Sequence, residues 1–419
     1  MKILVVGGGG REHAIVKKLL ENPRVEKIYA LPGNAGIAAI AETAGIKATD
    51  IDAITAFALE KEVDFVFVAP DDPLVLGAVD VLTARGIPCF GPVKAAAEIE
   101  GSKSFAKRLM EKYSIPTARF DVFDDHEKAS AYIDAAEVFP VVVKANGLAL
   151  GKGVAIAKDK AEAKAALGAC MLERAFGGSG DVVIIEEYLT GPEVSVLCFT
   201  DGKTIVPMAS AMDHKQVYDG NKGPNTGGMG AIAPNRHYTA ETAERCMREI
   251  FVPTMRAMNE EGREFRGCLY FGLMLTKDGP KVIEYNCRFG DPEAQAVLAL
   301  LETDLLTVVE AVSEGRLSDI EIKTKDGSAC CVVMASGGYP GTYETGKPID
   351  FGAAGDVPGV EIFHAGTAVS DGEIVTSGGR VLGVTAVGAT RGEAIELAYD
   401  AVREINFEGA YYRSDIGTL

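Results

Sequence analysis

The sequence predicts a multidomain protein, parallel α/β at its amino end and α+β at its carboxyl end. Three observations carry this. Strand and helix patterns alternate through residues 1–92; from about residue 102 short strands bracket glycine-rich loops; from about residue 327 short strands and turns dominate, with one helix near the end. Strands and helices alternating at this spacing form a parallel sheet wound by helices. The expected divisions are an N-terminal α/β domain over 1–101, a central region over 102–326 with a subdomain at about 117–188, and a small α+β domain over 327–419.

In the first division an apolar strand over 3–6 runs into glycines 7–10, and an apolar-periodic helix follows over about 14–20. A second strand over 27–30 ends at P-G-N-A-G (32–36). A helix over 51–60 leads to a strand over 65–68, which ends at P-D-D-P (70–73) before a helix that runs to residue 85. Ligands of such sheets gather at the carboxyl ends of the strands, so the loops 7–10, 32–36 and 70–73 form the expected binding edge. A charged helix over 103–113 opens the central region. Strands over 141–144 and 154–157 bracket N-G-L-A-L-G-K-G, and an alanine-rich helix over 160–176 precedes a strand over 182–186. A polar, glycine-rich stretch over 213–230 reads as a long loop. A helix around 239–259 and strands over 268–276 and 281–286 close the region, and a final helix is expected over 393–405.

Composition narrows the function. A hydrophobic content of 47% supplies a large core, and a net charge of −18 argues against nucleic acid, which needs a basic face. A small phosphorylated ligand needs only a local cluster of donors. Glycine is enriched at 48 residues, which favours tight turns and close approaches of backbone to ligands. No apolar run reaches the ~18–20 residues that cross a membrane, and the first is too short for a signal-peptide core. The eight cysteines contain no C-x-x-C pair, and adjacent Cys330 and Cys331 would point to opposite faces of a strand. Reduced thiols and a cytoplasmic location are expected.

Five segments carry chemistry. The loop G-G-G-G-R-E-H-A (7–14) fails as a dinucleotide fingerprint: a G-x-G-x-x-G frame started at Gly7 reaches Glu12, and one started at Gly8 reaches His13. The second strand also runs into Ala30 and Leu31 with no acidic residue. A helix N-terminus still favours an anion, so Gly9, Gly10 and Arg11 form a candidate phosphate site, the alternative being a glycine turn that only permits packing. The loop 146–153 fails as a P-loop because Asn146 stands first and Gly153 last. It can instead fold as a flap whose amides meet phosphates, with Lys144 adding a positive charge, or it is an ordinary hairpin turn.

The run E-E-Y-L-T-G-P-E-V-S (186–195) follows an apolar strand. Its backbone can meet an adenine ring and Glu193 can accept from ribose hydroxyls, or its acids are simply solvated. In E-Y-N-C-R-F-G-D-P-E (284–293), period-two alternation puts Glu284 and Asn286 on one strand face. A carboxylate and an amide oxygen so placed can share one magnesium ion, which takes one or two protein oxygens plus substrate phosphates. Arg288 offers a planar fork for a carboxylate or phosphate, Asp291 and Pro292 form a turn, and Glu293 opens a helix. The plain reading is a strand with a polar outer face. The stretch 213–230 suits a substrate loop, in which His214 is either a base or polar surface.

In this order, a strand lysine, a glycine flap, an E-E-x-L hinge and an E-x-N strand resemble the ATP-grasp fold. Within it the chain resembles the phosphoribosylamine–glycine ligase (glycinamide ribonucleotide synthetase) family from Gly7 to the carboxyl terminus. The resemblance rests on R-F-G-D-P-E-A-Q (288–295), G-P-N-T-G-G-M-G (223–230), P-G-N-A-G, G-G-R-E-H-A (9–14), S-G-G-Y-P-G (336–341) and G-G-R-V-L-G-V (378–384). It implies ATP-grasp central domains and the joining of glycine to 5-phosphoribosylamine, with ATP converted to ADP and phosphate through glycyl phosphate, in purine synthesis. By the same resemblance Lys103 and Lys144, with Gly151 and Gly153 of the flap, would hold the ATP phosphates. Glu186, Glu187 and Leu189 would hold adenine, Glu193 the ribose, and Glu284 and Asn286 magnesium or manganese. Gly9, Gly10 and Arg11, with Asp213, Lys215, Asn225 and Arg288, would serve phosphoribosylamine and glycine. A monomer is expected. The chain departs from the family at Asn146, where the flap usually opens K-A-D-G; at Gln216, where arginine is usual; and at P-D-D-P, where G-P-E-x-P is common. The strand 268–276 carries no carboxylate, so Glu284 and Asn286 would share the metal mainly with phosphates and water.

Overall fold

The computed structural model describes residues 1–149 and 153–418. Five parallel strands form the first sheet, in the order Glu42–Thr43, Lys27–Pro32, Lys2–Gly7, Phe65–Val68, Cys89–Phe90. The helix Gly10–Leu20 begins four residues before its apolar periodicity does. The cause is local: Gly9 N–H donates to Glu12 Oε2 at 2.6 Å, which satisfies one of the orphan donors of the first turn. The helix expected to run to residue 85 is two, Asp71–Leu76 and Ala78–Ala84, because Gly77 between them adopts a left-handed conformation with φ of +97°.

The central region holds two four-stranded sheets. One runs Phe120–Phe123, Val183–Glu187, Val141–Ala145, Val154–Ala157, with helices His126–Ala135 and Lys160–Met171 packed against it. The other runs Ile205–Pro207, Glu193–Asp201, Arg266–Thr276, Gly279–Asn286 and is antiparallel throughout. The alanine-rich helix stops at Met171, short of 176. The helix expected around 239–259 is interrupted by a wide turn, Met247–Phe251, just before Pro253. Proline has no N–H to donate and its ring crowds the preceding turn, so the ladder loosens there.

The stretch 213–230 is not the structureless loop expected from its composition. Met212–Asp213 is the edge strand and Gly230–Ala233 its neighbour in a six-stranded sheet that continues through Ser328–Ser336, Arg380–Gly388 and Val360–His364, with Ala410–Tyr411 paired to Ser328–Ser336. Between them Gln216–Tyr218 and Lys222–Asn225 form a small hairpin. One sheet therefore crosses the expected division at 327. The carboxyl helix, Arg391–Glu404, covers this sheet through buried Ala394, Ala398, Ala401 and Val402.

What fixes the signature segment in space is aromatic packing. Phe289 is 1% exposed and lies 5.8–6.2 Å, ring to ring, from Phe67, Phe90 and Phe199. The first two belong to the parallel sheet and Phe199 to the antiparallel one, so one side chain pins 284–293 where both sheets meet. Glu293–Leu300 then forms a helix whose residues are nearly all buried, wedged against Gly10–Leu20 and the carboxyl sheet.

Candidate active site

The strand Gly279–Asn286 aims Glu284 and Asn286 to one face, opposite Gly272 and Tyr270 of the neighbouring strand. Gly272 makes room: a Cβ there would lie 2.9 Å from Glu284 Cγ. Lys215 Nζ reaches Glu284 Oε1 at 3.2 Å and Glu193 Oε2 at 3.5 Å. The Lys215 ammonium holds the Glu284 carboxyl down at about 2 against the effect of burial, with help from Lys144 and Lys103. Glu284 is thus a committed anion among three cations. Among the described residues no group of three or more His, Cys, Asp or Glu side chains is arranged as a self-sufficient metal cage. One ionised carboxylate and one amide oxygen on the same strand face fit magnesium shared with phosphates, the arrangement hard cations with few protein ligands adopt.

Lys144 leaves the flap strand, sits 3.0 Å from Glu186 Oε2 and donates to Ile283 O at 3.2 Å. Glu186 is shared with a second lysine that the motifs did not reveal, Lys107, at 3.2 Å. Burial lowers the Lys107 ammonium to about 8 although Glu186 opposes this, and its Nζ also donates to Thr117 Oγ1 at 2.8 Å. The spacing of Lys107 from Lys103, one helical turn, was the available signal. Glu186 Oε1 is buried and has no partner among the described residues, an acceptor left open at the hinge. Glu187 points the other way. Its carboxylate accepts from Arg119 N and Nε at 3.0 and 2.9 Å and from Lys281 Nζ at 3.2 Å, so its side chain braces the surface. Leu189 lies just past the strand, half-buried, and exposed Glu193 opens the next one.

Lys103 donates from Nζ to Gly147 O at 2.8 Å. Gly153 closes the flap hairpin, its carbonyl accepting from Ala145 N at 2.8 Å, and a Cβ on it would lie 2.7 Å from Ala149 Cβ. Gly151 lies outside the described residues.

Asp213 ends its short strand beside Gly228 and Pro292. Its Oδ1 is buried without a partner among the described residues, and burial together with the nearby Glu293 carboxylate raises its pKa well above the usual carboxylate range. Glu293, which the motif reading only placed in a helix turn, is 4% exposed and accepts from Tyr270 OH at 3.0 Å and Ser195 Oγ at 3.1 Å. Asn225 ends the hairpin, half-buried. His214 is not a base: Gly417 N donates to its Nε2 at 3.2 Å, leaving Nδ1 as the donor to Gly230 O, and burial lowers it to about 4.

Arg288 does not extend along the Glu284 face. Its Nη2 lies 2.8 Å from Glu100 Oε1 and 3.7 Å from Asp71 Oδ2, while Cys287 N donates to Glu100 Oε2 at 2.7 Å. Glu100 and Asp71 outweigh burial and raise the guanidinium pKa further, and its Nε has no partner among the described residues. The expected phosphate loop is also more occupied than its motif implies. Glu12 takes Gly9 N–H and Arg11 Nε (2.7 Å), and Arg11 Nη1 donates to Phe289 O at 3.0 Å. Asp291 borders Gly9, its carboxylate 3.3 Å from where a Cβ would stand. Arg380 bridges the opposite wall, donating from Nη1 to Gly227 O at 2.7 Å and Asp291 O at 2.6 Å, with Nη2 3.4 Å from Asp291 Oδ2.

A flap sheet facing an antiparallel sheet, with lysines on one side and an E-x-N strand on the other, defines an ATP-grasp ligase. The chain matches the phosphoribosylglycinamide synthetase family in three parts: the N domain over 1–100, the ATP-grasp (A) domain over 101–294 and the C domain over 329–419. It belongs to that family, whose members act in purine biosynthesis. It is 51% identical over 416 residues to the phosphoribosylamine–glycine ligase of Caldanaerobacter subterraneus subsp. tengcongensis, covering 99% of each. It is 47% identical to the trifunctional purine biosynthetic protein adenosine-3 of Gallus gallus, covering 99% of this chain and 42% of that one. Among solved structures, phosphoribosylamine–glycine ligase from Thermotoga maritima superposes with a TM-score of 0.87 at 34% identity, covering 99% of this chain and 100% of that one. The biotin carboxylase domain of Hydrogenobacter thermophilus 2-oxoglutarate carboxylase, in complex with MgADP, shares the fold at a TM-score of 0.77 and 17% identity, covering 98% and 91%.

Proposed function

We propose that this cleft joins glycine to 5-phosphoribosylamine at the expense of ATP. A glycine carboxylate oxygen attacks the γ-phosphorus and ADP leaves. The amine nitrogen then attacks the carbonyl carbon of glycyl phosphate, inorganic phosphate leaves, and the nitrogen loses a proton. The observation that carries this reading is the Lys215–Glu284 contact: the anion of the E-x-N strand is paired with Lys215 and feels Lys144 and Lys103 as well, which suits a site for metal-bound phosphate. Such transfers depend on positioning and charge neutralisation more than on a protein nucleophile.

In this reading Lys103 and Lys144 meet the ATP phosphates, with Gly153 at the base of the flap beside them. Adenine lies against Glu186–Leu189, where Glu186 Oε1 stands ready to accept from its amino group and Glu187 contributes backbone only. Glu193 serves the ribose. Glu284 and Asn286 hold magnesium, or manganese, which supplies Lewis-acid neutralisation of phosphate charge when bound. The glycine ammonium suits the pocket of Asp213 and Glu293, where the Tyr270 and Ser195 hydroxyls fix one carboxylate oxygen and Asp213 Oδ1 is left to accept. Lys215 and Asn225 border the reacting carboxylate. Phosphoribosylamine enters at the seam of Gly9, Gly10 and Arg11 with Asp291 and Arg380, and Arg288 fixes that seam through Glu100 and Asp71. No helix among the described residues is long and apolar enough to cross a membrane, and all eight cysteines are buried free thiols, as a reducing compartment would keep them. Phosphate release that requires ATP, glycine and phosphoribosylamine together tests the assignment.

A further inference from the structure

The root of the glycine flap and the start of the helix Lys103–Lys112 hold each other by four hydrogen bonds. Lys103 N donates to Asn146 O at 2.9 Å. Ser104 N donates to Asn146 Oδ1 at 2.7 Å, Ser102 Oγ approaches the same oxygen at 3.3 Å, and Lys103 Nζ donates to Gly147 O at 2.8 Å. The other side of the root is fixed too. Asn146 N donates to Val182 O at 3.0 Å, Gly147 N to Ser179 O at 3.3 Å, and Ser179 Oγ to Leu148 O at 2.9 Å. A Cβ on Gly147 would lie 2.5 Å from Ser179 Oγ, so a side chain there would displace Ser179.

The first amides of a helix have no partner within it. Ser102 caps one, donated by Phe105 N at 3.2 Å, and Asn146 takes those of Lys103 and Ser104 through its two carbonyl oxygens. A side chain from another element thereby completes the cap. The consequence falls on Lys103. Its ammonium has three donors, one of which is spent on Gly147 O, so the remaining two point from a fixed origin.

We propose that Asn146 is a positioning residue for ATP: it locks the helix start onto the flap root, and so sets where the Lys103 ammonium meets the phosphates. This rests on the reading that Lys103 is a phosphate ligand. What the position requires is an acceptor oxygen facing a helix N-terminus, which asparagine and aspartate both supply. That accounts for the chain's use of Asn146 where its family usually has aspartate: the cap is kept while the charge is dropped.

The test compares steady-state kinetics of N146A, N146D and K103M. N146A should raise the KM for ATP about tenfold, the scale of losing such a bond set, with the KM for glycine unchanged and the thermal midpoint close to that of the parent. N146D should restore the KM for ATP to within about threefold. An unchanged KM for ATP in N146A, a parallel rise for glycine, or an N146D that behaves like N146A overturns the proposal. K103M separates the two readings: if it leaves the KM for ATP unchanged, the phosphate role of Lys103 fails, whereas a rise in K103M without one in N146A sinks the positioning role alone.

Discussion

Lys215 Nζ stands 3.2 Å from Glu284 Oε1, linking the segment that follows the strand Met212–Asp213 to the carboxylate of the E-x-N strand. Burial pushes the Lys215 ammonium down, and Glu284 and Glu193 more than offset it, so its pKa lies well above the usual lysine range. Each group keeps the other charged. A cation arriving with ATP would compete with Lys215 for the same carboxylate and free the ammonium for substrate.

Glu284→Ala should therefore abolish turnover, by about a hundredfold or more in kcat, with the fold retained. Circular dichroism and phosphate release check this together. A normal rate at ordinary magnesium would refute the metal role of Glu284.

Glu186 is the single anion between two buried lysines, Lys107 and Lys144. Glu186→Ala leaves both unpaired, and breaking a buried pair this way costs about 3–5 kcal/mol. Denaturant unfolding should show that loss along with weakened ATP binding. A variant as stable as the parent would mean that the lysines relax into water and that the site is less enclosed than it stands.

Phe289→Ala removes the ring that joins both sheets, and truncations of this kind cost about 3–5 kcal/mol. Because Phe289 O also accepts from Arg11 and Arg288, activity should fall further than the stability loss explains. Kinetics well below the unfolding transition separate the two effects; full activity there would contradict the coupling.

Three buried histidines give the pH dependence. His13 is lowered to about 3 and His214 and His364 to about 4, in each case chiefly by burial. His13 Nδ1 accepts from His364 N at 2.8 Å, so this pair stitches the first helix to the carboxyl sheet only while His13 is neutral there. Below the unfolded value of about 6.5 the unfolded chain binds protons that the native chain refuses. Stability present above that value is lost as pH falls toward 4, at up to about 1.4 kcal/mol per pH unit per histidine. Denaturant midpoints at pH 7.5, 6 and 5 should decline in order; a flat series would mean that the histidines titrate normally.

Much of this was legible in the chain. Motifs built from neighbours in sequence, such as Glu284 with Asn286 or Gly7–Gly10 opening a helix, lie where periodicity puts them. What could not be read are partners distant in sequence. Arg288 finds Glu100 across 188 residues, and Glu186 finds Lys107 from another element. Nor could the helix Glu293–Leu300 be delimited, since a helix buried on every side has no polar face to mark it. The hairpin inside 213–230 was hidden because its residues are mostly polar and glycine-rich, and the strands that flank it are held by pairing to the distant carboxyl sheet. Nor does the glycine motif at 7–10 show that Glu12 takes the Gly9 N–H.

The most direct test is stoichiometry. Purified protein with ATP, magnesium, glycine and freshly made phosphoribosylamine should release one phosphate per glycinamide ribonucleotide formed, and omission of either glycine or phosphoribosylamine should stop product formation. Product formed from another amino acid but not from glycine would contradict the account.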